Sequence, residues 1–461
     1  MLAEKSGARG ENLPFLARGC CWRISWAARW GGSVNREQVW DGWASNIAES
    51  PRRPCDLHYR EPMTSAADDL RSAVAEAITV QIPNEVDESR LPRKLAIHLT
   101  ADRLVREALA AGHAGTADIA EVTAFGAGNT AMMVARVHAQ MAYVVKVDTS
   151  PSIVREAHLL RRMATDPSLP AATRTAFPSV FAIDDTPPLF GYLMELVEGA
   201  EPLHHALRRQ DPGTTDLFTG LWTQILAPAY DATKNARLAH NVREDYFVRA
   251  RGRLESAAAE GAIPQPDQPL VIDDGNRTVT IAGGWRAAIH QAEDLLEAAR
   301  PTFGTWVHGD PNPENVLWTG SPGSGNTYRL LDPKDWWTGD YLFDIAKLGH
   351  YTVVTAPTEA GNVTATVAEV GDRHEISYDA AAFAWGRSVE RSLLGLVAPF
   401  ASDSGDSRWA QRYHLAFAAN LLGIAGPRAQ RARASGESDQ ARLAAVALGS
   451  GLMALADAGA T

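Results

Sequence analysis

The chain is poor in cysteine. Three occur among 461 residues, Cys20, Cys21 and Cys55. An odd number without regular spacing makes no disulfide framework, and no Cys/His set has zinc-ligand spacing. Long apolar runs are scarce too. The longest uncharged one, Leu443 to Ala456, is broken by Gly449, Ser450 and Gly451, short of the about 18 residues a membrane span needs. The first residues lack the apolar stretch of a secretory signal. Surplus positive charge is missing: the net charge is −11, which removes the basic footprint of a nucleic-acid binder. These absences predict a soluble, cytoplasmic protein with neither nucleic-acid nor membrane partners.

What is present is ordinary globular material, 45% apolar and 21% charged. At about 150 residues per domain, the length allows two to four folding units. Residues 1–62 differ from the rest. They hold Trp22, Trp26, Trp30, Trp40 and Trp43 and carry a net charge of +2, against −13 for the remainder. They are expected to be a poorly ordered extension, with Met63 as a second possible start. Residues 63–198 are expected to form a small lobe. Ala66 to Val80 and Leu95 to Ala111 read as amphipathic helices, the second stopped at Gly112. β-Branched runs at 119–125, 132–138 and 142–147 then read as an antiparallel meander. A helix over 152–163 and strands at 180–183 and 190–196 complete an α+β unit. Residues 199–461 are expected to be mainly helical. Helices are predicted over 216–238, 243–260, 285–299, 380–397, 408–424 and 440–456, with hairpins at 270–281 and 363–378.

Three segments carry chemistry. In Val307-His308-Gly309-Asp310-Pro311-Asn312-Pro313-Glu314-Asn315-Val316, two prolines and a glycine forbid a regular helix, so a held loop leads into a strand. It presents a carboxylate, Asp310, and an amide, Asn315, five residues apart. Phosphoryl transfer needs a base for the acceptor's proton and oxygen ligands for Mg²⁺. Asp310 suits the first role and Asn315 the second. In Tyr328-Arg329-Leu330-Leu331-Asp332-Pro333-Lys334, an apolar strand ends in Asp332, a rigid mount for a second metal ligand. A hairpin between the two segments would set them side by side. Farther on, Asp344 is expected to hold the loop by hydrogen bonds rather than to do chemistry. The third segment, Phe125-Gly126-Ala127-Gly128-Asn129, lies between two strands, where glycines let backbone N–H groups approach phosphate. Lys146 ends an apolar strand, and Glu156, ten residues on, can pair with it and leave its charge aimed at phosphates. Alone, a Gly-x-Gly turn or a strand-end lysine is common; the combination gives them meaning.

The chain resembles the aminoglycoside-phosphotransferase-like family, which shares the bilobal protein-kinase-like fold. The resemblance runs from about Ile119 to Leu348. Its most specific element is His308-Gly-Asp310-x-x-x-x-Asn315 with the later Asp332 and Asp344-Ile-Ala. It implies Asp310 as catalytic base, Asn315 and Asp332 as Mg²⁺ ligands, and Lys146 on the ATP phosphates, held by Glu156. His308 and Asp344 would support the loop. Phe190-Gly-Tyr-Leu-Met-Glu195-Leu-Val197 looks like the hinge, whose backbone at Glu195 and Val197 would meet the adenine edge. The chain departs from protein kinases in three places. Ala131 stands where the third glycine would be. Pro333-Lys334 follows the metal aspartate, and Thr358, not Glu, follows Ala356-Pro357. A peptide-binding segment is therefore expected to be missing. The resemblance implies transfer of the ATP γ-phosphate to a hydroxyl of a small molecule: a sugar, amino-sugar, amino alcohol or aminoglycoside-type antibiotic. The alternatives are a non-catalytic nucleotide-binding module and a protein kinase. Trp336 and Trp337 are more often packing residues than a sugar-stacking platform.

Overall fold

The computed structural model describes residues 90–111, 121–127, 133–138, 142–235, 244–320, 327–334 and 338–460. Chain contacts separate Met1–Thr64 from Ser65–Thr461, and every described residue belongs to the second unit. The expectations for 1–62, Ala66 to Val80, Gly112, Gly128, Ala131, Trp336 and Trp337 lie outside the described residues.

The small lobe is built on strand β3, Ala142–Asp148. Side chains of a strand alternate between faces. Tyr143, Val145 and Val147 therefore point one way, into a cluster with Ile97, Ala101, Leu104 and Val105 of the Arg90–Ala110 helix. Val144 points the other way, into the core that holds Ile153, Ala157, Leu160 and Met163 of the Ser152–Thr165 helix. Burial on both faces is why this strand reads as an apolar run interrupted only by Lys146. The same alternation puts Lys146 on the side of the Ser152–Thr165 helix. β1 (Glu121–Ala127), β2 (Met133–His138), β4 (Val180–Asp184) and β5 (Phe190–Glu195) complete a five-stranded antiparallel sheet in the order β1-β2-β3-β5-β4. Gly191 in β5 is required by close approach. A Cβ there would stand 2.7 Å from the Lys146 carbonyl and 2.7 Å from Thr100 Cγ2.

The large lobe contains the expected helices, interrupted by π turns. The stretch predicted as one helix from Asp216 is divided: Thr214–Leu221, a wide π turn over Trp222–Leu226, then Ala227–Thr233. The helix expected from Arg243 opens with a second π turn, Glu244–Val248, and Tyr351–Thr355 is a third, which like the first lies just ahead of a helix with a proline in its first turn. Pro228 and Pro357 explain the first and the third; no proline follows the second. Proline lacks an N–H and its ring crowds the carbonyl four residues back, so the preceding turn widens. The two predicted hairpins are present, β7 (Leu270–Asp273) with β8 (Thr278–Ile281), and β11 (Ala365–Val370) with β12 (Arg373–Tyr378). They are not separate: β12 pairs with β7 in parallel and joins them in one four-stranded sheet. An isolated hairpin is marginal in water, so the two edges stabilise each other across a long stretch of chain. The apolar helix Ser438–Ala460 is long enough to cross a membrane, but most of it is buried. It packs on Trp409–Ser435 as a core helix.

A third sheet positions the chemistry. β6 (Glu201–Pro202), β9 (Val316–Thr319) and β10 (Thr327–Leu330) lie in the order β10-β9-β6. β9 and β10 form an antiparallel hairpin in which Leu330 faces Val316. Nearby, Arg412 is fully buried, with Nε donating to Asp340 at 2.7 Å and Nη1 donating to Asp406 at 2.8 Å. Asp340 also caps the Tyr341–His350 helix by accepting from the Leu342 N–H. A buried cation is thus satisfied by two carboxylates, and one of them fixes where that helix begins. A five-stranded sheet lobe followed by a mainly helical lobe is the bilobal, α+β protein-kinase-like architecture.

Candidate functional site

The hairpin register dictates the first convergence. With Leu330 opposite Val316, the residues after β10 must run past the loop that precedes β9. The Leu331 N–H donates to the Asn315 carbonyl at 2.8 Å, and the Lys334 N–H donates to the His308 carbonyl at 2.9 Å. Asp332 is thereby laid beside the 308–315 loop. Its backbone has φ +53°, a left-handed conformation that aspartate tolerates better than most residues.

Lys146 meets Asp332 from the small lobe. Its Nζ donates to Glu156 Oε1 at 2.8 Å and closely contacts Asp332 Oδ1. The ammonium is buried. Burial alone would lower its pKa, but Tyr192, Asp332 and Glu156 together hold it well above the usual lysine value. Asp332 shows the reciprocal effect. Burial would raise its carboxyl, and the Lys146 charge overrides that and holds it below the ordinary carboxylate range. Burial raises Glu156 against the pull of Lys146. The Tyr192 hydroxyl donates to Glu156 Oε1 at 2.5 Å.

Asp310 and Asn315 form the second group. The Asn315 side-chain N–H donates to the Asp310 carbonyl at 3.0 Å. That fixes the amide's orientation and leaves its oxygen as an acceptor. His308 is fully buried, and its Nδ1 accepts the Asp310 N–H at 3.3 Å. Burial pushes the His308 imidazole down to about 4, so the ring is neutral. The loop hangs from Asp344, whose two carboxylate oxygens accept the N–H groups of His308 at 2.7 Å and Gly309 at 2.8 Å. The Tyr230 hydroxyl adds a bond at 3.1 Å. Burial raises the Asp344 carboxyl to about 7 even with these bonds opposing it.

Two residues at this site were not singled out from the sequence. Lys347 Nζ lies 3.2 Å from Asp310 Oδ1, and Lys334 Nζ lies 3.2 Å from Asp310 Oδ2. Burial alone would raise Asp310, but Lys347 and then Lys334 hold its carboxyl well below the usual range. The signal for Lys347 was its place three residues after Asp344, on the same helical face.

Glu195 and Val197 lie apart from these groups, at and beyond the end of β5. The Glu195 N–H donates to the Ser179 carbonyl, its carboxylate accepts the Ser179 N–H at 3.1 Å, and Arg329 Nη2 stands 3.6 Å away. The Val197 carbonyl accepts the Ala200 N–H. Gly126 is in β1, where the register with β2 shifts between Ala124 and Ala127.

The donor set suits Mg²⁺. Asp332 offers carboxylate oxygen and Asn315 amide oxygen, both hard donors. Mg²⁺ is commonly held by one or two such protein groups, with water and phosphate completing its shell. Among the described residues no cluster of three or more His, Cys, Asp or Glu offers an all-protein cage.

No curated protein matches the chain by sequence. Among solved structures, the chain is similar to an ethanolamine kinase of Plasmodium vivax at 10% identity, covering 87% of this chain and 95% of that one, with TM-score 0.49. A thermostable mutant of aminoglycoside phosphotransferase APH(4)-Ia matches at 15% identity, covering 75% and 96%, with TM-score 0.40. A macrolide 2'-phosphotransferase of Brachybacterium faecium matches at 16% identity, covering 75% and 98%, with TM-score 0.32. The sequence profile of the phosphotransferase enzyme family, APH, matches residues 121–383, more than half of the chain. The chain belongs to the APH phosphotransferase enzyme family.

Proposed function

We propose that this phosphotransferase moves the γ-phosphate of ATP to a hydroxyl group of a small molecule. The observation that carries the reading is the convergence of Lys146, on a small-lobe strand, with Asp332, on the large-lobe hairpin, while backbone bonds from Leu331 and Lys334 tie that hairpin to the Asp310–Asn315 loop.

Lys146, fixed by Glu156, would bind the nucleotide phosphates. The backbone at Gly126 and Gly128 would cover them, and backbone groups at Glu195 and Val197 would meet the adenine edge. Asn315 and Asp332 would hold Mg²⁺. That ion, when bound, neutralises charge on the phosphates. Asp310 would accept a hydrogen bond from the acceptor hydroxyl, orient its oxygen toward the γ-phosphorus and take its proton as the new bond forms. The bond from phosphorus to the bridging oxygen then breaks, and its electron pair leaves with ADP. Most of the rate gain in such a site comes from positioning and charge stabilisation. His308, neutral and buried, and Asp344 would keep the loop in place. Sugars, amino-sugars, amino alcohols and aminoglycoside-type antibiotics are the acceptor classes to test.

Calorimetry of ATP binding, with and without Mg²⁺, tests the nucleotide half of the reading. The wild type is expected to bind ATP more tightly with Mg²⁺, and Asp332→Asn to lose that gain. No binding of ATP by the wild type, or an unchanged Mg²⁺ dependence in the variant, would count against it.

A further inference from the structure

Two lysines meet one carboxylate at Asp310. Lys347 comes from the Tyr341–His350 helix and Lys334 from the turn after β10, and each ammonium is 3.2 Å from a different oxygen. Among the described residues, neither lysine has a second carboxylate within ion-pair distance. Lys146 is the opposite case, one ammonium between the carboxylates of Glu156 and Asp332. The uncompensated positive charge therefore sits on the Asp310 side. Lys347 is largely shielded from water, with 19% of its side chain exposed. Withdrawing a cation from water without a full counter-charge is costly, so the position favours an arriving anion.

The proposed reaction brings one anion to this point, the phosphoryl group in transfer. An acceptor oxygen hydrogen-bonded to Asp310 and aligned for attack stands about 3–3.5 Å from phosphorus. Phosphorus would then lie within about 6 Å of the Asp310 carboxylate. An ammonium already beside that carboxylate, on a flexible four-carbon stem, can reach the phosphoryl oxygens without any movement of the backbone.

We propose that Lys347 and Lys334 are phosphate-binding residues, which pass from Asp310 onto the γ-phosphate oxygens when nucleotide enters. This assignment rests on the proposed function. In the transfer step the acceptor oxygen bonds to phosphorus, the bridging oxygen leaves with its electron pair as ADP, and the hydroxyl proton goes to Asp310. Both lysines stay protonated and balance the charge spread over the phosphoryl oxygens. Their departure also frees the Asp310 oxygens for the acceptor. The Tyr341–His350 helix then holds the reaction twice on one face: Asp344 fixes the loop backbone, and Lys347, one turn later, acts on the group being transferred.

The test compares ATP with ADP. Binding of each, with Mg²⁺, is measured by calorimetry on the wild type, Lys347→Met and Lys347→Arg, with thermal unfolding of each as the check on folding. Lys347→Met keeps the aliphatic stem and loses the charge. It is expected to bind ADP like the wild type, to bind ATP about tenfold more weakly, and to turn over about 10²-fold more slowly. Lys347→Arg is expected to recover the preference for ATP over ADP. An ATP-to-ADP affinity ratio in Lys347→Met equal to that of the wild type would overturn the assignment while leaving nucleotide binding intact. A wild type that binds neither nucleotide would instead overturn the proposed function. Should Lys347→Met fail to fold, Lys334→Met carries the same comparison.

Discussion

The carboxylate of Asp344 accepts the backbone N–H of His308 at 2.7 Å, across 36 residues of sequence. Its second oxygen takes the Gly309 N–H. The start of a helix thereby fixes the loop that carries Asp310. Replacing Asp344 by alanine leaves three buried donors unpaired, the N–H groups of His308 and Gly309 and the Tyr230 hydroxyl, at about 1–3 kcal/mol each. Asp344→Ala is expected to lose stability by that amount in urea denaturation and to lose most of its activity. Asp344→Asn keeps one acceptor oxygen and should lose less of both. Equal stability of the alanine variant and the wild type would show that the loop is held elsewhere.

Asp310 is the proposed base. Asp310→Asn is expected to reduce turnover by about 10²–10⁴-fold, the usual worth of a positioned proton acceptor. ATP affinity should survive or rise, because Lys347 and Lys334 lose the one carboxylate that holds them among the described residues. Turnover is read by ADP release. A variant that turns over normally would remove Asp310 from the mechanism.

Arg412 predicts a structural effect far from the phosphates. Truncating one partner of a buried ion pair costs about 3–5 kcal/mol, because the remaining charge stays uncompensated. Arg412→Met leaves Asp340 and Asp406 facing each other's vacancy, and Asp340 caps the helix that carries Asp344 and Lys347. Chemical denaturation should show that loss. The double variant Arg412→Met with Asp406→Leu should recover part of it.

Acid stability follows from the buried histidines. Burial holds His308 at about 4 and His350 at about 3, against 6.5 when exposed. A lowered histidine stabilises the fold above 6.5, and the contribution is lost as pH falls toward the folded value. Asp344, raised by burial to about 7 from 3.8, acts in reverse: its contribution is present at low pH and fades as pH rises through 7. From pH 6.5 to 4 the three groups together take up about one proton on unfolding, so their summed effect weakens the fold on acidification by about 1.4 kcal/mol per pH unit. His350→Gln removes one of these protons and should flatten the measured slope by about that amount. An unchanged slope would mean that His350 is charged in the fold.

Much of this arrangement was legible in the sequence. β3 announced itself because both of its faces are buried. Asp310, Asn315 and Asp332 stood out because a proline-rich loop followed by a strand can hold such groups rigidly. The β12–β7 pairing was not legible, since nothing local marks a parallel contact between hairpins about ninety residues apart. Nor were the π turns, two of which have a proline one residue inside the helix that follows. Nothing in the sequence paired Lys347 with Asp310; only the folded loop brings the two together. The long-range partners of Arg412 were silent for the same reason.

The central claim is transfer of a phosphoryl group from ATP to a small hydroxyl compound. Phosphorus NMR of the protein with Mg²⁺, ATP and pooled sugars, amino-sugars, amino alcohols and aminoglycosides tests it most directly. A new phosphomonoester resonance that grows in step with ADP, and is absent with Asp310→Asn, is the expected result. An Asp310→Asn protein that forms the same phosphomonoester at the wild-type rate, or transfer of the phosphate to polypeptide instead, would contradict it.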